Sequence, residues 1–484
     1  MSRQTPATYR SARCRAVPPL SLTAIFALGL SACAVGPDYV RPTVSAPAVL
    51  TRTPLPSAGT AGPVTPQWWR AFGSSELDHL VEEALARSPT LDAAEATLAV
   101  ARENVVAQRG FFFPTVQAGY NATRQNVGQT VSAPLNSGET IYNYHTAQLN
   151  IAYAPDLFGG NRRQVENLQA MADGQRFQLE AARLTLISNL VGAVLQTSML
   201  EEEFALTQQA VNAIQEQLRY VRSLQRNGYS SGIDVATQEN LLTQAQQTLA
   251  PLQKQLEQTR NLVNVLGGRT PDVAAPSIPL AAIKLPSPPA AVASDLVEHR
   301  PDVRAAATQV HAASAAIGIA RAARLPQLSI TAALGAGATT LANLFASGSS
   351  TWILGAGILQ PVFMGGTLAA RERAADAAYR VAAAQYRGVV LGAFQNVADS
   401  LYALEIDTQS LRTAQASESA THTSFELTQS QLRQGYTSRP AALATQQAWL
   451  LASAARVAAQ GTLLGDTVAL FQAVGGAVLE AGSK

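Results

Sequence analysis

The chain contains 484 residues, of which 47% are hydrophobic and 14% charged, and its formal net charge is +2. Because the basic residues are scattered, the charge distribution gives no support for a nucleic-acid partner. The longest apolar stretch, Leu20 to Leu30, is too short to span a bilayer as a helix, and no later apolar run reaches the roughly 20 residues required. Any membrane crossing is therefore expected to use strands.

Residues 1–32 have the pattern of a lipoprotein signal peptide. A basic start precedes the apolar stretch, and the tetrad Leu30-Ser31-Ala32-Cys33 follows it directly. This tetrad resembles a bacterial lipobox, which predicts cleavage before Cys33 and lipid attachment to its thiol; an ordinary secretory signal with a chance cysteine is the alternative. Cys14 would be removed, leaving one thiol and no disulfide. The residue after Cys33 is Ala34 and not an aspartate, a pattern that resembles that of lipoproteins sorted to the outer membrane.

The rest of the chain repeats itself. Residues 88–94 resemble residues 300–306, and each segment leads through an alanine-rich helical stretch to a proline, Pro114 or Pro326, with a constant offset of 212 residues. Two further landmarks recur in the same order: 155–160 resembles 361–366, and 226–231 resembles 433–438. Three landmarks in one order indicate a tandem duplication.

Each half contains two segments with the alternation expected of membrane strands. After Pro114, Val116, Ala118, Tyr120 and Ala122 share one face, and Gln117 and Asn121 lie on the other. The same period recurs from Ala147 to Tyr153 and from Leu328 to Leu334, and more weakly from Trp352 to Leu359. Polar segments, 127–143 and 342–351, join each pair and are expected to lie outside the cell.

Four strands cannot close a spanning barrel, which needs eight or more. A strand edge open to lipid would leave backbone groups unpaired at several kcal/mol each, so membrane strands here require several copies of the chain. Periodicity alone also fits a soluble α+β domain whose strands bury one face against helices.

The helical segments are unusually long. Residues 160–227 and 366–434 contain no proline, and at about 1.5 Å per residue each would extend roughly 100 Å. Apolar residues recur at three- and four-residue spacing, as in Leu184, Ile187, Val191 and Val194, which is typical of helices that pack on neighbours. Shorter helices, 234–266 and 301–324, have a summed length near that of one long helix, so a pair stacked end to end beside it would give the wall of a tunnel. A plain coiled-coil rod is the alternative.

Several of these features together resemble one family. The segment Cys33 to Pro42, the pair Trp68-Trp69, the duplicated strand pairs and the two Gly-Tyr turns are similar to the outer-membrane efflux factor family, and most of all to its lipoprotein subfamily named after nodulation protein T, relatives of TolC and OprM. The resemblance covers nearly the whole mature chain. It implies a membrane α+β fold, in which a trimeric twelve-stranded barrel with four strands per chain continues into a twelve-helix tunnel.

The implied organisation follows the duplication. A lipid-anchored linker occupies 33–75, and a C-terminal tail occupies 475–484. The first repeat, 76–284, is expected to have strands near 114–127 and 144–155 and a long hairpin at 160–266. The second, 285–474, is expected to have strands near 326–339 and 352–362 and a hairpin at 366–474.

The implied function is that of a passive exit duct in the outer membrane, conducting drugs or other small toxic compounds. The implied partners are two further copies of the chain, a periplasmic membrane-fusion adaptor, an inner-membrane proton-driven pump of the RND type and the lipid of the outer membrane. No cofactor is expected other than the covalent lipid on Cys33. A TolC-like exit channel for type I protein secretion would use the same architecture, and a non-transporting periplasmic lipoprotein is a further alternative.

Two turns are candidates for adaptor docking, because in the family such turns lie at the periplasmic tips of the hairpins. Glycine permits the tight reversal, and the exposed aromatic side chain offers apolar contact to a partner. The alternative is a helix stop with no partner. The matching positions are Gly228, Tyr229, Ser230, Gly435, Tyr436 and Thr437.

Asp234 opens the helix after the first turn. In the family, acidic rings near the periplasmic mouth help to close the pore, so three copies of Asp234 are one candidate gate. The other interpretation is that its carboxylate favours the helix dipole. The second repeat lacks this acidic residue. Arg439-Pro440 occupies the positions equivalent to Gly232-Ile233, and no aspartate follows.

Catalysis finds little support in the sequence. The histidines show no metal-ligand spacing, and no phosphate loop, nucleophile elbow or zinc helix is present. We therefore expect no enzyme and no metal site, and energy for transport would have to come from a partner. The five histidines are His79, His145, His299, His311 and His422.

Overall fold

A computed structural model describes residues 34–43, 66–127, 138–286 and 298–476. The signal peptide, Cys33, most of the first polar loop and nearly all of the C-terminal tail lie outside the described residues. The predictions for these segments are therefore not tested by the structure.

The two halves contain the same elements in the same order. Each has a helix of 22 residues, two strands, a helix of 67 residues and a helix of 35 residues. An additional helix, α1, precedes the first half. The elements are α1 (Ser75–Arg87), α2 (Pro89–Gly110), β1 (Thr115–Asn126), β2 (Ile141–Tyr153), α3 (Gly160–Arg226), α4 (Gly232–Leu266), α5 (Pro301–Ala322), β3 (Gln327–Ala338), β4 (Ser350–Leu359), α6 (Thr367–Arg433) and α7 (Arg439–Ala473).

The strand bounds correct the sequence analysis by two to three residues. β2 begins at Ile141 instead of near 144, because Ile141 pairs with Asn126 at the far end of β1. β2 and β4 also end before the expected 155 and 362, at Tyr153 and Leu359. Pro155 and Pro361 follow these ends, and proline has no backbone N–H to donate to a strand ladder.

The chain forms two compact units, and neither coincides with a sequence repeat. One unit takes residues up to 39, 105–167 and 313–378, and the other takes 40–104, 168–312 and 379 onward. The expected repeats at 76–284 and 285–474 are each divided between the units. Matching parts of the two repeats therefore pack together within each unit.

The first unit contains a single four-stranded antiparallel sheet of order β1-β2-β3-β4. The register places Ala118 opposite Leu149, Leu149 opposite Leu334, and Leu334 opposite Trp352. These apolar residues therefore share one face, as the alternation predicts. Trp352 and Ile358 of this face are 78% and 73% exposed. The sheet thus has an apolar face that no described residue covers at these positions.

The second unit has a hydrophobic core built around the tryptophan pair. Trp68 stacks on Phe471 of α7, with ring centroids 5.1 Å apart, and meets Trp69 edge to face. Leu190 and Val194 of α3 belong to the same buried cluster. The pair that marks the family resemblance in the sequence is therefore a core anchor joining distant parts of the chain.

Among the described residues, one helix is long and apolar enough to cross a membrane by length and composition. This helix is α3, and 61% of its most apolar 18-residue segment is buried inside the protein. Burial in the core accounts for the apolar composition, because α3 contributes Leu186, Ile187 and Leu190 to the cluster.

Candidate functional site

The second face of the sheet is lined mainly by small and polar residues, with Ile353 and Leu359 of β4 as apolar exceptions. Gln117 lies opposite Asn150, and Thr331 lies opposite Gly355. One face is therefore suited to lipid and the other to water, which is the division that a channel wall in a membrane requires. β1 and β4 form the two ends of the sheet order, and each pairs with a single strand. Each keeps an open edge that another strand can join.

Four helices form a row that parallels the strand order. In the first unit, the Gln108 side chain of α2 donates to Asn161 of α3, and Arg321 of α5 pairs with Glu372 of α6 at 3.0 Å. In the second unit, Arg183 of α3 pairs with Glu95 of α2 at 2.6 Å. Arg163 of α3 lies against Gly318 of α5 in the first unit and completes the row there, and Gly174 of α3 lies against Thr308 of α5 in the second unit. The order is therefore α2, α3, α5, α6, with α2 and α6 at the ends.

The two hairpin turns have the same backbone geometry. Gly228 and Gly435 adopt φ values of 78° and 77°, a left-handed conformation that favours glycine at a helix end. In both turns the next residue donates its backbone N–H back into the helix, from Tyr229 to Leu224 O and from Tyr436 to Gln431 O, each at 2.9 Å. Both tyrosine side chains are 81% exposed. Each turn therefore presents one aromatic ring to its surroundings.

Asp234 closes the first turn as part of a capping box. Its carboxylate accepts from the backbone N–H of Ser231 at 2.8 Å and from the hydroxyls of Ser230 and Ser231, while the Ser231 hydroxyl accepts from the Asp234 backbone N–H. These hydrogen bonds, led by the Ser231 backbone donor, lower the pKa of Asp234. Asp234 therefore remains ionised at neutral pH and stabilises the start of α4.

The second turn starts its helix in a different way. Ser438 is the N-cap of α7 but forms no side-chain capping bond, and Pro440 occupies the first helical turn. Proline is suited to that position because the N–H it lacks would have no helical partner. Arg439 pairs with Glu216 of α3, so an ion pair joins the second hairpin to the first. The two turns are alike in shape and differ in charge.

A short N-terminal segment, residues 34–39, which we call the strap, docks on the first unit. Arg163 holds it: the guanidinium donates to the carbonyls of Val35 and Gly36 at 3.3 and 3.4 Å and to Asp38 at 2.8 Å. The Arg163 side chain is only 7% exposed, whereas its partner Asp38 is 94% exposed, so the guanidinium is buried but the ion pair with Asp38 opens to solvent. The Val35 N–H also donates to Phe158 O, five residues after the end of β2.

Two glycines make this docking possible. Gly36 has a φ of 113°, and a Cβ there would lie 2.5 Å from the Cα of Gly318 in α5. A Cβ on Gly318 would lie 2.8 Å from Arg163 and from the Val35 carbonyl. The strap therefore requires glycine at both positions. Close packing therefore explains the glycine at position 36 in the segment Cys33 to Pro42.

Sequence reasoning missed Arg163 and a carboxyl pair, Asp407 with Asp466. Arg163 and its strap partners are 125 to 128 residues apart, so no local pattern joins them. Among the described residues, no group of three or more histidine, cysteine or acidic side chains is placed to hold a metal ion.

Comparison with known proteins gives the class of protein. The family described as outer membrane efflux protein matches residues 80–268 and again 292–476. The pyoverdine export outer membrane protein OpmQ of Pseudomonas putida is 31% identical over 455 residues, which covers 93% of this chain and 95% of that protein. The toluene efflux pump outer membrane protein TtgC of Pseudomonas putida is 28% identical over 458 residues, covering 94% of each chain.

Solved structures agree with these relatives. The outer-membrane channel OprN has a TM-score of 0.81 at 26% identity, covering 92% of this chain and all of that one. The MtrE outer membrane channel of Neisseria gonorrhoeae has a TM-score of 0.79 at 25% identity, covering 93% of this chain and all of that one.

The fold is therefore that of the trimeric outer-membrane channels, with four strands and two long helical hairpins in each chain. The chain belongs to the outer membrane efflux protein family. It is an outer-membrane component of an efflux pump, and its family is one of channels and not of enzymes. The predicted family, fold class, general function and location are confirmed.

Proposed function

We propose that three copies of this chain form the exit duct of a tripartite efflux pump, through which small toxic compounds leave the cell without chemical change. The observation that carries the proposal is the pair of open edges on β1 and β4. In lipid these edges must be paired, since each unpaired backbone group costs several kcal/mol. Copies of the same chain supply the missing strands, and the apolar face of the joined sheet then faces lipid.

An RND-type pump and a membrane-fusion adaptor supply the energy and the connection to the inner membrane. The exposed rings of Tyr229 and Tyr436 support docking of the adaptor at the turns, because both side chains are 81% exposed and the two turns share one backbone shape. Equivalent turns from both hairpins offer the adaptor repeated copies of similar contacts. Asp234 adds negative charge at the first turn only, where three copies would favour cations and narrow the entrance.

A lipid on Cys33 anchors each copy in the outer membrane. The docking of the strap supports this anchor. Ala34, the residue next to Cys33, packs so closely on Gly159 that a Cβ added to Gly159 would lie 2.6 Å from the Ala34 Cα. Gly159 lies six residues after the end of β2, close to the membrane end of the first unit. Acyl chains attached one residue earlier can therefore enter the adjacent leaflet.

The proposal is tested by deleting the gene and measuring the growth of the strain against a broad panel of unrelated toxic compounds. We expect increased sensitivity to several of them, restored by the wild-type chain. A normal toxicity panel together with loss of an exported protein would instead favour the type I secretion channel. The purified protein is also expected to have the mass of three chains in detergent, and a compact monomer that needs no detergent would overturn the proposal.

A further inference from the structure

The duplicated helices differ in how much of their surface is covered. α2 and α5 match at an offset of 212 residues, and the buried Leu91, Leu98 and Val105 of α2 correspond to the buried Val303, Val310 and Ile317 of α5. α5 also buries a second face, which includes Ala305 and Ala312. The matching face of α2 is exposed, with Val100 at 62% and Val106 at 57%.

The long helices show the same difference. α3 and α6 match at an offset of 207 residues, and Leu179 and Leu186 of α3 correspond to the buried Tyr386 and Ala393 of α6. Leu184 and Leu195 of α3 are 8% and 2% exposed. Their counterparts, Leu391 and Tyr402, are 62% and 58% exposed. One face of α6 and one face of α2 therefore lack the cover that the duplicate helices have.

Part of that cover comes, in the duplicates, from contact between α3 and α5, while Leu184 lies against Gly476. Gly174 of α3 lies against Thr308 of α5, where an added Cβ would be 2.8 Å from the Thr308 hydroxyl. The Arg304 guanidinium of α5 lies over the Phe177 ring at 4.8 Å, beside the buried Glu180. Burial raises the pKa of Glu180, and the charges of Arg176 and Arg304 oppose that shift. In the first unit, Arg163 of α3 fills the space over Gly318 of α5.

The counterparts of these contact residues are complementary to one another. Glu180 and Arg304 carry opposite charges on the two sides of the contact, although the ion pair of Glu180 is with Arg176 of its own helix. Their counterparts are Arg387 on α6 and Asp92 on α2, with the signs exchanged. The small and large pair Gly174 and Thr308 becomes Val381 and Ala96, with the sizes exchanged. The large and small pair Arg163 and Gly318 becomes Ala370 and Val106, again exchanged. All six counterparts are exposed in the single chain.

We propose that α6 of one copy packs on α2 of the next copy in the same register that α3 uses on α5 within the chain, so that Arg387 pairs with the partner's Asp92. This inference rests on the proposed assembly of three copies, and it adds the residues that meet. The occupant is a second copy, since exposed faces on the two ends of one helix row complement each other in both charge and volume. Because size is exchanged at two matched contacts, the space between the copies is filled as it is within the chain. Because charge is exchanged at the third, opposite charges face each other again.

The experiment uses cysteine pairs in the full-length, membrane-extracted protein. Asp92→Cys with Arg387→Cys is treated with a short bifunctional maleimide, and covalent dimers and trimers are measured after denaturation. The matched control replaces Arg387→Cys by Gln385→Cys, because Gln178, the counterpart of Gln385, stays exposed in α3 even though α3 is covered. Each single-cysteine variant controls for the native thiols.

We expect a severalfold excess of covalent dimers and trimers for the 92/387 pair over the 92/385 pair. Equal yields, or none from a protein whose mass in detergent is three chains, would overturn the register while leaving the proposed duct intact. A monomeric mass would overturn both. As a second measurement, Arg387→Asp is expected to lower the temperature at which the trimer dissociates, and adding Asp92→Arg is expected to restore it; no restoration would contradict the pairing.

Discussion

The carboxyl groups of Asp407 in α6 and Asp466 in α7 lie next to each other between the two helices of the second hairpin, placed to share a hydrogen bond when one of them is protonated. Two carboxylates cannot share a hydrogen bond unless one of them holds a proton. Burial and the neighbouring Asp466 raise the pKa of Asp407 to about 6. In the first hairpin the matching positions are Leu200 and Thr259, which are buried and carry no charge.

This pair predicts that acid stabilises the second hairpin. An acid whose pKa is higher in the folded than in the unfolded protein contributes stability below the unfolded value, near 3.8, and loses it as the pH rises through about 6. We expect Asp407→Asn to raise the free energy of unfolding at pH 7.5 by about 1 kcal/mol, less than the ~1.4 kcal/mol per pKa unit would give, because partial exposure screens the pair. The measurement is the thermal midpoint by circular dichroism between pH 4.5 and 8.

The control for that prediction is Asp399→Asn, which alters an exposed aspartate on the same helix. It should leave the pH dependence as in the wild type. If Asp407→Asn and the wild type had the same midpoint at every pH, the shared proton would be excluded.

Much of the fold could be predicted from the sequence because its signals are local. Period-two alternation marks the strands, and the glycines at 228 and 435 and the prolines at 155 and 361 end their elements within three residues of the expected positions. Because the chain is duplicated, each of these local signals occurs twice. The bounds of β2 were less accurate, since its first residues are set by pairing with β1 and not by their own pattern.

The contacts of the site are less visible, because they join residues far apart in the chain. Nothing near Arg163 distinguishes it from the neighbouring Arg162, yet Arg163 is buried on the strap while Arg162 is 41% exposed and pairs with Asp156. Asp407 and Asp466 likewise look like ordinary helical acids until α6 and α7 are side by side. Burial and partnership of charged residues follow from tertiary packing, which a single sequence does not contain.

Arg163 is predicted to be the residue that holds the strap. Arg163→Ala removes its bonds to Val35, Gly36 and Asp38, and we expect docking of the strap to weaken by about 2 kcal/mol, since bonds from a charged group contribute about 1.5–3 kcal/mol each without adding fully, and the exposed Asp38 adds little. The measurement is the rate of chymotryptic cleavage after Tyr39, followed by mass spectrometry. Arg371→Ala, an exposed arginine near the start of α6, is the control. Equal cleavage rates in both variants and the wild type would show that the strap is held by other contacts.

The two proposed roles of Asp234, closing the entrance and capping α4, can be separated by replacing one oxygen of its carboxylate. Asp234→Asn keeps an oxygen that accepts from the Ser231 N–H but removes the charge, whereas Asp234→Ala removes both. If the charge helps to close the entrance, we expect both variants to raise channel conductance in a planar bilayer and to reduce cation selectivity. If the residue only caps α4, Asp234→Asn should conduct like the wild type.

The pH dependence of Asp234 has the opposite sign from that of Asp407. Hydrogen bonds from Ser231 and Ser230 lower its pKa, so its capping contribution is complete above the unfolded value near 3.8 and is lost as the pH falls through the lower folded value. Helix content of the wild type should therefore fall below pH 3.8 more steeply than that of Asp234→Asn. Parallel titration curves would argue against the capping bond.

The hairpin turns provide the test of adaptor docking. An added Cβ at Gly228 or Gly435 meets nothing within 4 Å, so a larger side chain fits the space, although the positive φ of each position costs about 1 kcal/mol for a residue with a Cβ. We expect Gly228→Asp with Gly435→Asp to abolish resistance in the toxicity panel, because the new charges would face the adaptor, while expression and the mass of the assembly stay unchanged. Gly392→Asp is the matched control: it also lies in open space, on the shaft of α6, and its counterpart Thr185 is exposed even in the covered helix α3. Resistance that persists in the double-turn variant, or is lost equally in the control, would mean that the turns are simple helix ends.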